Sequence, residues 1–144
     1  MSNVIRDISE VIKNIVNEVV VLEASYNFPM REIPKPYPAL LVLYDGFTRP
    51  EELDDMNSFV HDLRYELTLY LPNDGRNMEV RWDELNELAW TIIIRFANDR
   101  TLGGNCRESI ISAGEPIVHL SEKKIPVGLG NTFSMLVRIE TAED

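Results

Sequence analysis

The chain has 144 residues, 44% of them hydrophobic and 26% charged, with a formal net charge of −10. That length predicts one domain with a core of its own, and the acid surplus excludes the basic stripe a DNA-gripping protein needs for phosphate contacts. No apolar run approaches the roughly 20 residues of a membrane-spanning helix, and Cys106, the only cysteine, excludes an internal disulfide or a thiolate metal cluster within one chain.

The N-terminus reads Met-Ser-Asn-Val-Ile-Arg-Asp. It lacks the basic start, continuous apolar run and small-residue cleavage site of a signal peptide, which predicts synthesis and folding in a cytoplasm. Val4, Ile8, Val11, Ile12, Ile15, Val19 and Leu22 then recur at helical spacing, with Arg6, Glu10, Lys13, Asn14 and Asn17 on the outer side. The β-branched content lowers helix propensity, so the helix is expected to end near residue 21.

Residues 26–38 hold Pro29, Pro34, Pro36 and Pro38, a density that predicts an extended surface crossing. Arg31, Lys35 and Tyr37 lie within it. Residues 39–44, Ala-Leu-Leu-Val-Leu-Tyr, have no polar alternation and fit a strand covered on both faces. A polar, turn-rich excursion is expected from Asp45 onward. Its acids, Glu51, Glu52, Asp54 and Asp55, lack the order of a calcium loop and the burial that would raise their pKa values.

Residues 61–71 give the clearest strand. Leu63, Tyr65, Leu67, Leu69 and Leu71 alternate with Asp62, Arg64, Glu66, Thr68 and Tyr70, so one face is buried and the other is wet or available to a partner. Pro72-Asn73-Asp74-Gly75 is turn chemistry, and Asn77 is the expected N-cap of a second helix. Along that helix Trp82, Leu85, Leu88, Ala89, Ile92 and Phe96 form the core stripe, while Glu84, Glu87, Thr91 and Arg95 face outward. Asn98-Asp99 and Gly103-Gly104 end the helix and turn the chain back.

Residues 107–118 return to a strand pattern that Gly114 and Pro116 break, predicting a bent or bulged strand. Residues 121–131 form a polar, glycine-containing link, either a mobile loop or an extended hairpin arm. Phe133, Met135, Val137 and Ile139 mark the last strand, and residues 141–144 are an acidic tail with nothing to anchor it. The expected architecture is a single two-layer α+β domain over residues 1–144, with two helices on one face of a mainly antiparallel sheet in the order α-β-β-α-β-β.

No motif in the sequence marks a catalytic site. His61 and His119 lack zinc-binding spacing. A triad drawn from Cys106, a histidine and Asp62 or Asp99 has no strained nucleophile turn to mark it. Residues 102–105, Leu-Gly-Gly-Asn, are too short for a phosphate-binding loop. Cys106 reads as a small hydrophobe beside a turn, since no cation is local to lower its pKa. No catalytic, cofactor-binding or metal residue is expected.

The layout and several strings together carry a resemblance: the N-terminal amphipathic helix, the Pro-rich crossing into Tyr37-Pro38-Ala39-Leu40-Leu41-Val42, and the strand at 61–71. To these add the aromatic-rich helix from Trp82, the turn Asp99-Arg100-Thr101-Leu102-Gly103-Gly104, and Phe133-Ser134-Met135-Leu136-Val137-Arg138-Ile139-Glu140. The chain resembles the tail terminator, or tail completion, proteins of long-tailed bacteriophages. The long acidic loop at 45–58 and the link at 121–131 depart from that pattern.

The resemblance implies a structural virion protein made in the host cytoplasm and located at the neck end of the tail. It implies a ring, expected to be a homohexamer, that caps the tail tube, stops its polymerisation and presents a surface to the neck, or head-completion, protein. The tail sheath joins the partners if the tail is contractile. DNA is expected to pass the lumen without specific binding, repelled by acidic side chains, with the wet face of strand 61–71 lining or flanking the ring. The loops at 45–58 and 121–131 are the expected axial contacts. Two other readings stand beside this one: a head-closure or neck joining protein, and a small α+β enzyme or ligand-binding domain.

Overall fold

Asn3 starts the first helix as its N-cap, its side chain accepting a hydrogen bond from the Arg6 backbone N–H at 3.2 Å. The computed structural model describes residues 3–30, 36–48, 60–72, 78–112, 114–120, 122–123 and 126–140. Helix α1 spans Val4–Val19 and buries Ile8, Ile12, Ile15 and Val16. It stops two residues short of expectation because Val20 adopts an extended backbone, where β-branched residues are at ease. The Asn17 side chain then accepts from the Leu22 N–H at 2.9 Å and steadies the exit.

The chain enters the sheet at once. Strand β1, Ala24–Tyr26, pairs parallel with β2, Ala39–Thr48, in the register Ala24↔Ala39 to Tyr26↔Leu41. Three residues carry no period that a sequence reading can detect, and long-range pairing makes this strand. Strand β2 also runs past the expected end at Tyr44. A bulge between Tyr44 and Phe47 holds Gly46 at φ +96, a conformation glycine adopts freely, and pairing resumes at Phe47↔Leu63. The polar run therefore begins as strand, and residues 49–59, which include Glu51, Glu52, Asp54 and Asp55, lie outside the described residues. The Pro34 part of the crossing, the turn after Pro72, Asn77 and the tail at 141–144 lie outside them too.

Strand β3, Val60–Pro72, lies in the middle of the sheet between β2 and the long β6, Pro126–Glu140. The β3–β6 ladder runs from Val60↔Glu140 to Pro72↔Gly128. Helix α2, Met78–Ala97, returns across the sheet. Strands β4, Glu108–Ser112, and β5, Pro116–Leu120, then share the other edge of β6 in tandem. This is the bent strand expected at 107–118. A Cβ on Gly114 would lie 0.7 Å from the Thr132 carbonyl oxygen, so only glycine lets the chain cross here against β6. Because β6 begins at Pro126, the link at 121–131 is largely the β5–β6 hairpin arm.

The class is α+β, as expected, but the order is α1-β1-β2-β3-α2-β4-β5-β6 and the sheet is mixed. The layering also differs. On one face, Ile8, Ile12, Ile15 and Val16 of α1 and Ala89, Ile92 and Phe96 of α2 pack on Leu63, Tyr65, Leu67, Leu69, Phe133, Met135 and Val137. On the other face, Ala39, Leu41 and Tyr70 form a second cluster covered by Tyr26, Met30 and Tyr37. The crossing thus acts as partial cover for a face expected to be wet or available to a partner. A third cluster, Leu71, Leu85 and Leu129 with half-buried Trp82, fixes the start of α2 to the end of the sheet.

Candidate interaction surfaces

The residues first weighed for chemistry are held in structural roles. Asp99 ends α2 as the hub of a turn: its carboxylate accepts from the Gly103 N–H at 2.8 Å and from the Thr101 hydroxyl at 3.0 Å. Leu102, at φ 52, is driven into the core by this turn and is buried, with Gly103 and Gly104 at φ 70 and 88 following it. The Arg107 N–H then donates to the Arg138 carbonyl at 2.9 Å, where the β4–β6 ladder starts. The two glycines are therefore used for turn geometry.

Cys106 is half-buried, and its thiol donates to the Arg100 carbonyl at 3.5 Å. Burial, reinforced by the nearby Asp99 charge, pushes the thiol pKa up to about 11. At neutral pH it is a thiol, the opposite of an activated nucleophile. Asp62 is buried, with both carboxylate oxygens taken by Arg138 at 2.9 and 3.2 Å. His61 stacks edge-on against Phe47, ring centres 5.6 Å apart. His119 sits in β5, away from this ladder position. No group of His, Cys, Asp and Glu suited to a metal ion occurs among the described residues.

What remains is surface. On the sheet face away from the helices, Asp45 of β2, Arg64 and Glu66 of β3, Ser134 and Leu136 of β6, and Ile110 of β4 surround a shallow depression of about 300 Å³. The registers Arg64↔Leu136 and Ile110↔Leu136 bring these side chains onto one face. Ile110 is 53% exposed. Among the described residues Arg64 makes no ion pair. The expected wet face of strand 61–71 is thus confined to Arg64 and Glu66, since Asp62, Thr68 and Tyr70 are buried. Arg64 stands there with two exposed acids, Asp45 and Glu66, so this part of the face carries both signs of charge with one acid in excess.

A second surface lies on the outer side of α2. Trp90 is 66% exposed, Val80 61% and Ile94 42%. Trp90 and Ile94 are one turn apart, with Glu87 one turn before Trp90, so all three share a face. Glu79, Asp83 and Glu87 make no ion pair among the described residues. The α2 cation Arg95 is turned aside to α1, its Nε donating to Glu18 at 3.0 Å. The core stripe of α2 was legible in the sequence, but Trp90 was not singled out. The signal was available: a tryptophan out of phase with Leu85, Ala89, Ile92 and Phe96 has no core to enter.

No protein-family model and no curated protein sequence matches the chain. Among solved structures, the fold is similar to a sheath/tube terminator of an extracellular contractile injection system, termed PVC, determined by cryo-EM in the extended state. The TM-score is 0.55 at 11% sequence identity, over 99% of this chain and 58% of that one. The likeness is one of fold, and the chain spans little more than half the length of its counterpart.

Proposed function

We propose that this chain is a tail-terminating structural protein, one that caps a tail tube and ends its growth. The observation that carries the reading is the fold likeness to a sheath/tube terminator over nearly the whole of this chain. It agrees with a resemblance drawn independently from the helix, strand and turn strings. The groups that might have argued for an enzyme are otherwise engaged: Asp62 by Arg138, Asp99 by its turn, and Cys106 by a raised pKa.

In this reading the chain forms a ring, taken to be a homohexamer, on the last layer of the tube. A terminator stops polymerisation because one face copies the tube subunit's binding surface and the other does not present it again. A heterologous contact that closes on itself fixes the ring's size. The partners are the tube protein, the sheath protein where the tail contracts, and the neck or head-completion protein. The segments at 45–58 and 121–131 are proposed for axial contacts. DNA passes without trapping because the net charge of −10 disfavours phosphate. The Arg64–Glu66 face, where a cation stands among the acids, is better suited to flank the ring than to line its lumen.

The test is electron microscopy of particles assembled without this chain. The expected outcome is tubes of abnormal, excess length that fail to join heads. Tubes of normal length that remain headless would instead assign the chain to a neck joint.

A further inference from the structure

The sheet ends in two edges that are built differently. At one, β1 is only three residues long, and Glu10 and Lys13 of α1 line a groove with its Ser25. A short strand with charges alongside is how native sheets keep other chains off an edge. At the other, β4 runs Glu-Ser-Ile-Ile-Ser over residues 108–112, with β6 on one side and no described strand on its outer side. It has no proline or lysine, and its register with β6 is unbroken, so none of those devices blunts it. Every second residue of β4 turns its backbone N–H and C=O outward, at the spacing of an extended chain.

Apolar groups stand on both sides of that edge. Ile110 is exposed on the face away from the helices, next to half-buried Leu136 in the register Ile110↔Leu136. On the other face α2 packs over β4. Arg95 points from α2 to Glu18 of α1, and Ile93 lies about 200° round the helix from it, on the flank above β4. Exposed Trp90 lies beside Ile93 on that flank. The charges are uneven along the edge. At its start Arg100 pairs with Glu108 at 3.6 Å and Arg107 with Glu140 at 3.7 Å. Past its end, Glu115 is exposed and makes no ion pair among the described residues, and the same holds for Asp83 and Glu87 ahead of Trp90.

We infer that the outer edge of β4 receives an extended segment of another protein, apolar on both of its faces and basic at the end that reaches Ser112. A main chain in extended form matches the row of outward backbone groups. Ile110 on one face, and Ile93 with Trp90 on the other, select apolar side chains on both sides of the added strand. The unpaired acids select a cation. A second copy of this chain does not fit, because it carries a net charge of −10. Its own run that is apolar on both faces, residues 39–43 of β2, is already paired with β1 and β3. The inference needs neither ring nor tube and stands apart from the terminator reading.

The test titrates the full-length chain against a fluorescently labelled peptide, Lys-Lys-Val-Ile-Val-Ile-Val-Lys-Lys, read by anisotropy. Lysines at both ends bring a cation to Ser112 in either strand direction. The expected result is saturable binding at roughly 0.1 mM or below, with hydrogen-exchange protection gained at alternate amides of residues 108–112. Two further peptides carry N-methyl groups on one or the other set of alternate residues. One set should weaken binding more than tenfold and the other should leave it nearly unchanged, since only one edge of the peptide pairs with β4. Ile110→Lys and Trp90→Ala, both at exposed positions, should each weaken binding by about tenfold, and so should glutamate in place of the peptide lysines. No binding at 1 mM, an equal effect of the two methylated peptides, or protection at another strand would overturn the inference. So would self-association of the native chain that Ile110→Lys dissolves, because the edge would then belong to a second copy. None of these outcomes touches the terminator reading, which tube length in the deletion tests separately.

Discussion

Helices α1 and α2 lie side by side on the same sheet and share one core, yet they differ in what they do with their outer faces. In α1 the apolar residues after the exposed Val4 of its first turn gather on the buried side, and Asp7, Glu10, Lys13, Asn14 and Asn17 meet water or sit at the rim. In α2 the buried stripe of Leu85, Ala89, Ile92 and Phe96 is matched by Val80, Trp90 and Ile94 on the far side. A helix needs one apolar face to close a core. The second face of α2 is more than folding requires, and an exposed tryptophan of that kind is more at home in an interface than in a free surface.

Truncating the buried stripe tests the shared part of this comparison, and there the effects should be largest. Ile12→Ala in α1 and Ile92→Ala in α2 are each expected to cost about 2–5 kcal/mol in denaturant unfolding, because both side chains are essentially fully buried. A much smaller loss for one would show that the helices do not share a core. Next comes the tie between β3 and α1, where the Tyr65 hydroxyl donates to the Ile5 carbonyl at 2.8 Å. Tyr65→Phe should cost about 0.5–1.5 kcal/mol.

The same tyrosine gives a pH prediction. Burial, helped by neighbouring Tyr44, holds the Tyr65 phenol neutral well above its ordinary value of 10.0. The folded state keeps the proton after the unfolded state has released it. Stability from this group is therefore intact below pH 10 and falls as the pH rises beyond it. Tyrosinate absorbance from Tyr65 should appear together with unfolding, and its appearance in a still-folded protein would contradict the burial.

The ion pair between the helices is expected to matter less. Arg95 and Glu18 are 2.9 Å apart at closest but partly exposed, and Glu18→Gln should cost about 0.2–1 kcal/mol, shrinking with added salt. Smallest of all should be Trp90→Ala in thermal or denaturant unfolding of the isolated subunit, within about 0.5 kcal/mol of the native chain. That near-silence would sharpen the contrast, since it would show that the outer face of α2 contributes nothing to closing the core. A large loss of subunit stability would place Trp90 in the fold instead.

Residue period alone made several elements legible. The alternation from Leu63 to Leu71 and from Phe133 to Ile139, and the helical spacing of Ile8, Ile12, Leu85, Ile92 and Phe96, all survive in the structure. These are local signals with one burial outcome: such residues have an apolar face, and any stable fold must cover it. The turn at Asp99 was equally local, because side chain, backbone N–H and glycine conformation act within a few residues.

Other features depend on contacts that sequence distance conceals. Strand β1 exists because Ala24 meets Ala39, and Gly114 is required because Thr132 comes against it. Tyr70 and Arg64 belong to the same outward-facing register of β3, yet Tyr70 is covered by the crossing and Arg64 is not. The sequence by itself determined which faces were apolar, where the long helices and the middles of the long strands lie, and that Cys106 and the histidines lack a catalytic pattern. Only the tertiary structure decided which polar and apolar faces stay uncovered, because that depends on where the rest of the chain is left over to lie.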